Sequence, residues 1–245
     1  MNIKSKPNII VFFTDQQRWD TSGLHGNPLS LMENFDHYAV EGTHLYNSFT
    51  CQPVCGPARA SLQSGMYATK TGCFKNRIPL KKNIKTLAKY LSKEGYATGY
   101  IGKWHLGSYT PEYFPTRRGF DYFYGYLSGG IGYWDHVHGG GHDWQRNEVG
   151  LREDGYATQL IKNDTLRIIN EHDFTNPIFL NINFGAPHIP NEAPEESVLK
   201  YSYFQDETRR LHAAMVHEMD NAIGEIVVAL EDKNVLENTI VVFAS

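Results

Sequence analysis

A mainly parallel α/β sheet with helices on both faces is the fold class this sequence predicts, and three observations lead there. Continuous apolar runs rich in β-branched and aromatic residues recur at 8–14, 97–101, 178–184 and 239–244, as expected of strands covered on both faces. Stretches with apolar residues at helical spacing lie between them, and strands alternating with helices argue for parallel pairing. Chemistry-bearing residues follow three of the runs: Asp15 the first, Lys103 and His105 the second, His188 the third. Open sheets of this kind bind ligands beyond the carboxyl ends of their strands.

Each element has its own signal. A helix is expected over 32–40, stopped by Gly42, and another over 86–94, where Leu87, Tyr90 and Leu91 share a side and Gly95 ends the run. Residues 155–172 place Leu160, Ile161, Ile168 and Ile169 on one side. The clearest helix, 208–232, carries an apolar face of Leu211, Met215, Ala222, Ile223, Ile226 and Leu230. Residues 111–150 have no clean period and are dense in glycine and aromatics, so they read as a long irregular excursion.

Composition narrows the function classes. A chain of 245 residues with 41% hydrophobic content can bury one sizeable core, and with no linker in sight one domain is expected. The net charge of −4 comes without any Lys/Arg block, which argues against a nucleic-acid or membrane partner. Lys4 and Lys6 precede an apolar run that Asp15 ends too soon for a signal-peptide core, and no run reaches transmembrane length. As written the chain reads as soluble and cytoplasmic, unless a leader was removed. Its 3 cysteines do not make a disulfide framework.

The stretch CQPVCGPARASLQSG, 51–65, stands out. Cys55, Pro57 and Arg59 form C-x-P-x-R; Pro57 suits the first turn of a helix and Gly65 its end. Cys55 would then sit at a helix N-terminus, where backbone N–H groups and the dipole favour an anionic group. A buried apolar thiol is the plainer alternative. Cys51 also begins a C-x-P, but Cys55 occupies the position where its arginine would stand.

This stretch resembles the signature of the type I sulfatases, in which the cysteine of C-x-P-x-R is oxidised to formylglycine. The resemblance extends through PNIIVFFTDQQRWD, GYATGYIGKWHLG and PTRRGFDYFYGYLSGG, and the last is most like the arylsulfatase B group, which acts on sulfated sugars. It implies an alkaline-phosphatase-like sulfatase domain and a sulfuric-ester hydrolase acting on a sulfated carbohydrate, with the formylglycine-generating enzyme as a partner. Cys55, as hydrated formylglycine, would supply the attacking oxygen and later release sulfate by collapsing to the aldehyde. Arg59 would hold that diol, Lys103 would contact sulfate oxygens, His105 would act as base, and His188 would assist the leaving oxygen. Asp15 and Cys55 would hold a divalent cation, Ca²⁺ or else Mg²⁺, with Gln16 standing where many sulfatases have a second Asp.

Other readings stay open at this point. Asp15 followed by Gln16 also resembles the phosphonate monoester hydrolase branch of the superfamily, and a non-catalytic remnant is a third reading. Asp135, His136, His138, His142 and Asp143 lie among glycines between Trp134 and Trp144. They suggest a transition-metal cluster or, in preference, a loop shaping the substrate pocket, where Tyr133, Trp134 or Trp144 would stack on a sugar. In the family, a strand like 239–244 is followed by Asp paired with Asn or His, then by another Lys and a smaller C-terminal subdomain. The resemblance therefore implies the amino-terminal part of a longer sulfatase, weakly active alone, with its last strand missing its normal covering.

Overall fold

The computed structural model describes residues 6–245; Lys4 lies outside them. Strand β1 (Asn8–Phe13) leads through α1 (Glu33–Ala39) to α2 (Cys55–Ser64), α3 (Ala68–Thr71) and α4 (Leu87–Lys93). Strands β2 (Ala97–Lys103) and β3 (Tyr122–Tyr126) follow, then four two-residue strands: β4 (Val137–His138), β5 (Gly141–His142), β6 (Gln145–Arg146) and β7 (Val149–Gly150). The chain continues through α5 (Ala157–Glu171), β8 (Ile178–Asn183), α6 (Glu195–Lys200), α7 (Glu207–Asp232) and β9 (Thr239–Ala244).

Among the described residues, the main sheet has seven strands in the order β7-β6-β3-β2-β8-β1-β9, and all neighbours from β3 to β9 pair in parallel. The short β6 and β7 extend it antiparallel at one edge. One apolar cluster, including Ile10, Phe12, Ile182, Ile161 and Met215, lies between the sheet and the α5/α7 side; a second, including Val11, Tyr100, Phe179, Ala60 and Ala88, lies on the α2/α4 side. Helices therefore cover both faces, which is why β1, β2 and β8 read as unbroken apolar runs. At the β9 edge, Ile240, Val241 and Val242 remain 49%, 40% and 41% exposed.

The excursion expected to be irregular over 111–150 contains a five-residue strand and four two-residue strands. Tyr122–Tyr126 is an inner strand beside β2, with Phe123, Tyr124 and Tyr126 buried. Its Gly125 obscures the strand in the sequence, yet the packing requires it: φ is 135°, and an added Cβ would lie 2.3 Å from the Gly102 carbonyl oxygen. Gly102 (φ 100°) is equally constrained, with an added Cβ 1.9 Å from the Asn183 carbonyl oxygen. The carboxyl ends of β3, β2 and β8 thus close up on one another where the candidate chemistry lies.

A long-range cap ties α1 to α7. The first turn of α1 has no side-chain cap of its own, and Asp220 of α7 supplies one. Its Oδ2 accepts from the Asn34 N–H at 2.8 Å and from Asn34 Nδ2 at 3.0 Å, and its Oδ1 accepts from the Phe35 N–H at 2.8 Å. Burial outweighs these donors and pushes the carboxyl up to about 6. Because the folded protein holds this proton more tightly than the unfolded chain, the Asp220 contribution to stability declines as pH rises from about 4 to about 6. Asp220→Ala is expected to cost about 1–2 kcal/mol at neutral pH by removing the cap, and to flatten that decline in urea titrations at pH 4 and 7.

Candidate active site

The site is built where β1, β8 and β2 lie side by side, with Phe13, Asn183 and Gly102 on one rung. Asp15 follows β1, its N–H donating to the Ala186 carbonyl at 3.2 Å. Across it stands α2, which begins at Cys55 and ends on Gly65 in the left-handed region (φ 66°). The residue before α2, Val54, makes no side-chain cap, and Asn76 Oδ1 instead accepts from the Gly56 N–H at 2.9 Å. This fixes the helix end that presents Cys55, whose Sγ lies 3.6 Å from Asp15 Oδ1.

Behind Cys55 the charges are buried. Arg59 (1% exposed) projects from the second turn of α2 and donates from Nη2 to Asp15 Oδ2 at 2.8 Å. Its Nη1 donates to the Lys103 carbonyl at 2.8 Å and to Asn183 Oδ1 at 3.1 Å, and its guanidinium lies over the Phe13 ring at 5.1 Å. Lys103 (0% exposed) places Nζ 2.8 Å from the same Asp15 Oδ2. Burial alone would raise the Asp15 pKa; the two cations overcome it and hold the carboxyl well below its usual range. The same ion pair raises Arg59 against its own burial. For Lys103, burial and the adjacent guanidinium outweigh Asp15 and lower the pKa.

Two residues apart, Lys103 and His105 would share one side of a continuous extended segment. The strand ends at Lys103, and His105 turns out of it with φ 56°. Its ring nevertheless packs against Gly129, where an added Cβ would come within 2.6 Å, and it feels the charges of Lys103 and Arg59. Burial first, then those cations, push His105 down to about 3, so it is neutral at physiological pH. Its buried Nδ1 has no hydrogen-bond partner among the described residues.

His188, after β8, completes the cluster: one ligand atom each of Asp15, Cys55 and His188 lie within 4.8 Å of one another. Its Nδ1 contacts the Ile189 carbonyl at 2.6 Å, and Tyr133 donates its hydroxyl to the His188 carbonyl at 2.8 Å. Gln16 stands apart. It is exposed, has φ 63°, lines the adjoining cleft and makes no side-chain hydrogen bond among the described residues.

The donor set fits a hard divalent cation only in part. Ca²⁺ takes six or more oxygens, whereas Asp15 has one oxygen occupied by Arg59 and Lys103, and His188 offers nitrogen. Two buried cations beside a single carboxylate also oppose a further positive charge.

Around the loop between Trp134 and Trp144, two of the three aromatics expected to stack on a sugar are enclosed. Trp144 (1% exposed) is stacked between Tyr126 and His136, and Tyr133 (4% exposed) is stacked on Tyr156, so neither presents a face to a ligand; Trp134 remains 49% exposed. The polar residues there organise the loop. Asp143 accepts from the Leu127 and Ser128 N–H groups, Asp135 from the Val137 N–H, and His136 Nε2 contacts the Gly155 carbonyl. The sole His/Cys/Asp/Glu group spaced for a metal among the described residues is Asp15, Cys55 and His188.

Sequence reasoning missed Asn183 and Asn76. Asn183 alternates with Asn181 inside an apolar run, and its Nδ2 donates to Asn181 Oδ1 at 2.8 Å, aiming Oδ1 at Arg59. Two amides in a strand otherwise built of Ile, Phe and Leu were the available signal. All 3 cysteines are free; burial pushes the Cys73 thiol up to about 11.

Residues 7–245 match the family described as Sulfatase. The chain is 33% identical to mouse (Mus musculus) arylsulfatase J over 98% of its own length and 42% of that protein. It is 30% identical to an ulvan-active sulfatase of Formosa agariphila over 98% of its length and 50% of that protein, and 27% identical to human (Homo sapiens) N-acetylgalactosamine-6-sulfatase over 98% and 49%. The chain thus spans about half the length of these curated relatives. The crystal structure of Ps i-CgsB superposes with a TM-score of 0.92 at 29% identity, covering 98% of this chain and 58% of that one. The same protein, solved in complex with k-i-k-neocarrahexaose, superposes at 0.91.

Proposed function

We propose, for a chain that belongs to the sulfatase family, that it carries the nucleophile half of a sulfate-ester hydrolase for sulfated carbohydrates, centred on Cys55 converted to formylglycine. The observation that carries this reading is the convergence of Cys55, Asp15, Arg59, Lys103, His105 and His188 from four separate segments. Relatives that act on N-acetylgalactosamine sulfate and ulvan, and the structure holding a neocarrahexaose, support the saccharide class.

Formylglycine at 55 would supply a geminal-diol nucleophile, and a divalent cation, Ca²⁺ in this proposal, would supply positive charge for sulfate oxygens; Asp15 and the side chain at 55 would contribute to holding that cation. The remaining work falls to the chain's own residues. Asp15 stays ionised at every physiological pH because two cations face it. Arg59, locked by Asp15, Asn183 and the Lys103 carbonyl, keeps a fixed positive charge behind residue 55. Among the described residues Lys103 pairs with Asp15 alone, and its three N–H donors leave capacity for an anionic oxygen. His105, neutral and with a buried Nδ1 that has no partner among the described residues, is the base of this proposal, serving where residue 55 must lose a proton. His188, half-buried at the mouth, is placed to assist the departing alcohol.

Gly129→Ala tests the His105 role without removing any polar group, since the added methyl displaces the imidazole ring itself. Sulfate release is expected to fall about 10- to 100-fold, with a stability loss of about 1–3 kcal/mol from overpacking. The proposal as a whole is tested by comparing a sulfated saccharide, an aryl sulfate and an aryl phosphonate as substrates. Turnover of the sulfates is expected; turnover confined to the phosphonate would move the chain to the phosphonate hydrolase branch that Asp15 followed by Gln16 resembles.

A further inference from the structure

A cleft of about 760 Å³ opens beside the candidate centre. It starts at Gln16, Pro187 and Ile189, which flank Asp15 and His188 in the chain, and runs to Arg209 and His212 on the first turns of α7. That volume lies within the range of sites that enclose a whole ligand, and it exceeds what one sulfate group needs. Two guanidiniums line it, in different states. Arg18 is neutralised by a two-point contact with Asp20, at 2.8 Å and 2.6 Å. Arg209 makes no ion pair among the described residues; its guanidinium is held 5.2 Å over the Phe204 ring. The neighbouring acid, Asp206, turns its Oδ1 to the Arg209 backbone N–H at 2.8 Å, as the cap of α7. Burial and the charge of Arg18 lower the pKa of His212, which therefore adds no positive charge of its own. The uncompensated charge facing the cleft is that of Arg209.

We propose that this cleft is a second, anion-reading subsite: it takes the sugar next to the one bearing the scissile sulfate, and Arg209 binds a sulfate or carboxylate on that neighbouring ring. The subsite rests on the sulfatase reading for what occupies the centre. A guanidinium fixed on an aromatic face presents its N–H edge to a planar or tetrahedral oxyanion at little entropic cost. The preferred substrate is then a polyanionic oligosaccharide rather than an isolated sulfated sugar.

The test is equilibrium titration of the Cys55→Ala chain, which binds without turnover, with three disaccharides. One carries a single sulfate, one adds a sulfate to the adjoining ring, and one adds a carboxylate there. Both doubly anionic ligands are expected to bind about tenfold more tightly than the singly sulfated one, with the advantage shrinking as salt is raised. Arg209→Gln, which keeps the stem over Phe204, is expected to erase that advantage. Tighter binding of only one doubly anionic ligand identifies the group that Arg209 reads. Equal binding of all three, or an advantage that survives Arg209→Gln, overturns the subsite while leaving the sulfatase reading in place. Failure of all three to bind overturns both.

Discussion

Cys55→Ala is expected to lower sulfate-ester hydrolysis by at least about a thousandfold, to the background of the assay. Removing the proposed nucleophile would leave only binding and electrostatics, and effects of this size are usual for nucleophiles. Stability should change by less than about 1 kcal/mol, because Cys55 is half-buried and its contact with Asp15 is long, at 3.6 Å. Activity and stability are therefore separable at this position. Retention of a tenth of the activity by the variant, measured as free sulfate, would place the nucleophile elsewhere.

Arg59→Met is expected to show the opposite separation, with the largest loss of stability of any single substitution in the site, about 3–5 kcal/mol. The guanidinium satisfies Asp15, the Lys103 carbonyl and Asn183 Oδ1 together, all in a region where its side chain is 1% exposed. Its removal leaves a buried carboxylate paired with one ammonium and Asn183 Oδ1 without its donor, while the Lys103 carbonyl keeps the Tyr100 hydroxyl at 2.6 Å. Methionine preserves most of the volume, so the loss reports charge and hydrogen bonding rather than a cavity. Arg59→Lys restores charge but cannot reach Asp15 and Asn183 at once, so it should recover only part of the loss. The check is the urea midpoint at constant m-value; a loss under about 1 kcal/mol would mean that the buried triad is not what orders this edge of the sheet.

Much of the fold was legible because its central strands are covered on both faces. The runs at 8–14 and 178–184 can be little else, and their ends marked Asp15 and His188 without knowledge of the pairing order. What was not legible depended on contacts distant in sequence. The strand at 122–126 was hidden by Gly125, whose reason lies in the backbone of β2. Tyr133 and Trp144 look like ligand-facing aromatics in a glycine-rich loop, but β3, α5 and the loop itself enclose them. Asn183 and Asn76, which orient Arg59 and α2, show no spacing relation to the motif they serve. Cys55, Asp15, Arg59 and Lys103 were visible in sequence, while Asn76 and Asn183, which orient α2 and Arg59, were not.

The central claim is that position 55 becomes a reactive aldehyde facing Asp15 and the buried cations. Mass spectrometry of the peptide spanning 51–65, from protein co-expressed with a formylglycine-generating enzyme and treated with a carbonyl-specific hydrazide, tests it most directly. The account predicts a hydrazone at residue 55 in wild type and none in Cys55→Ala. An intact thiol at Cys55 throughout the wild-type sample would contradict it.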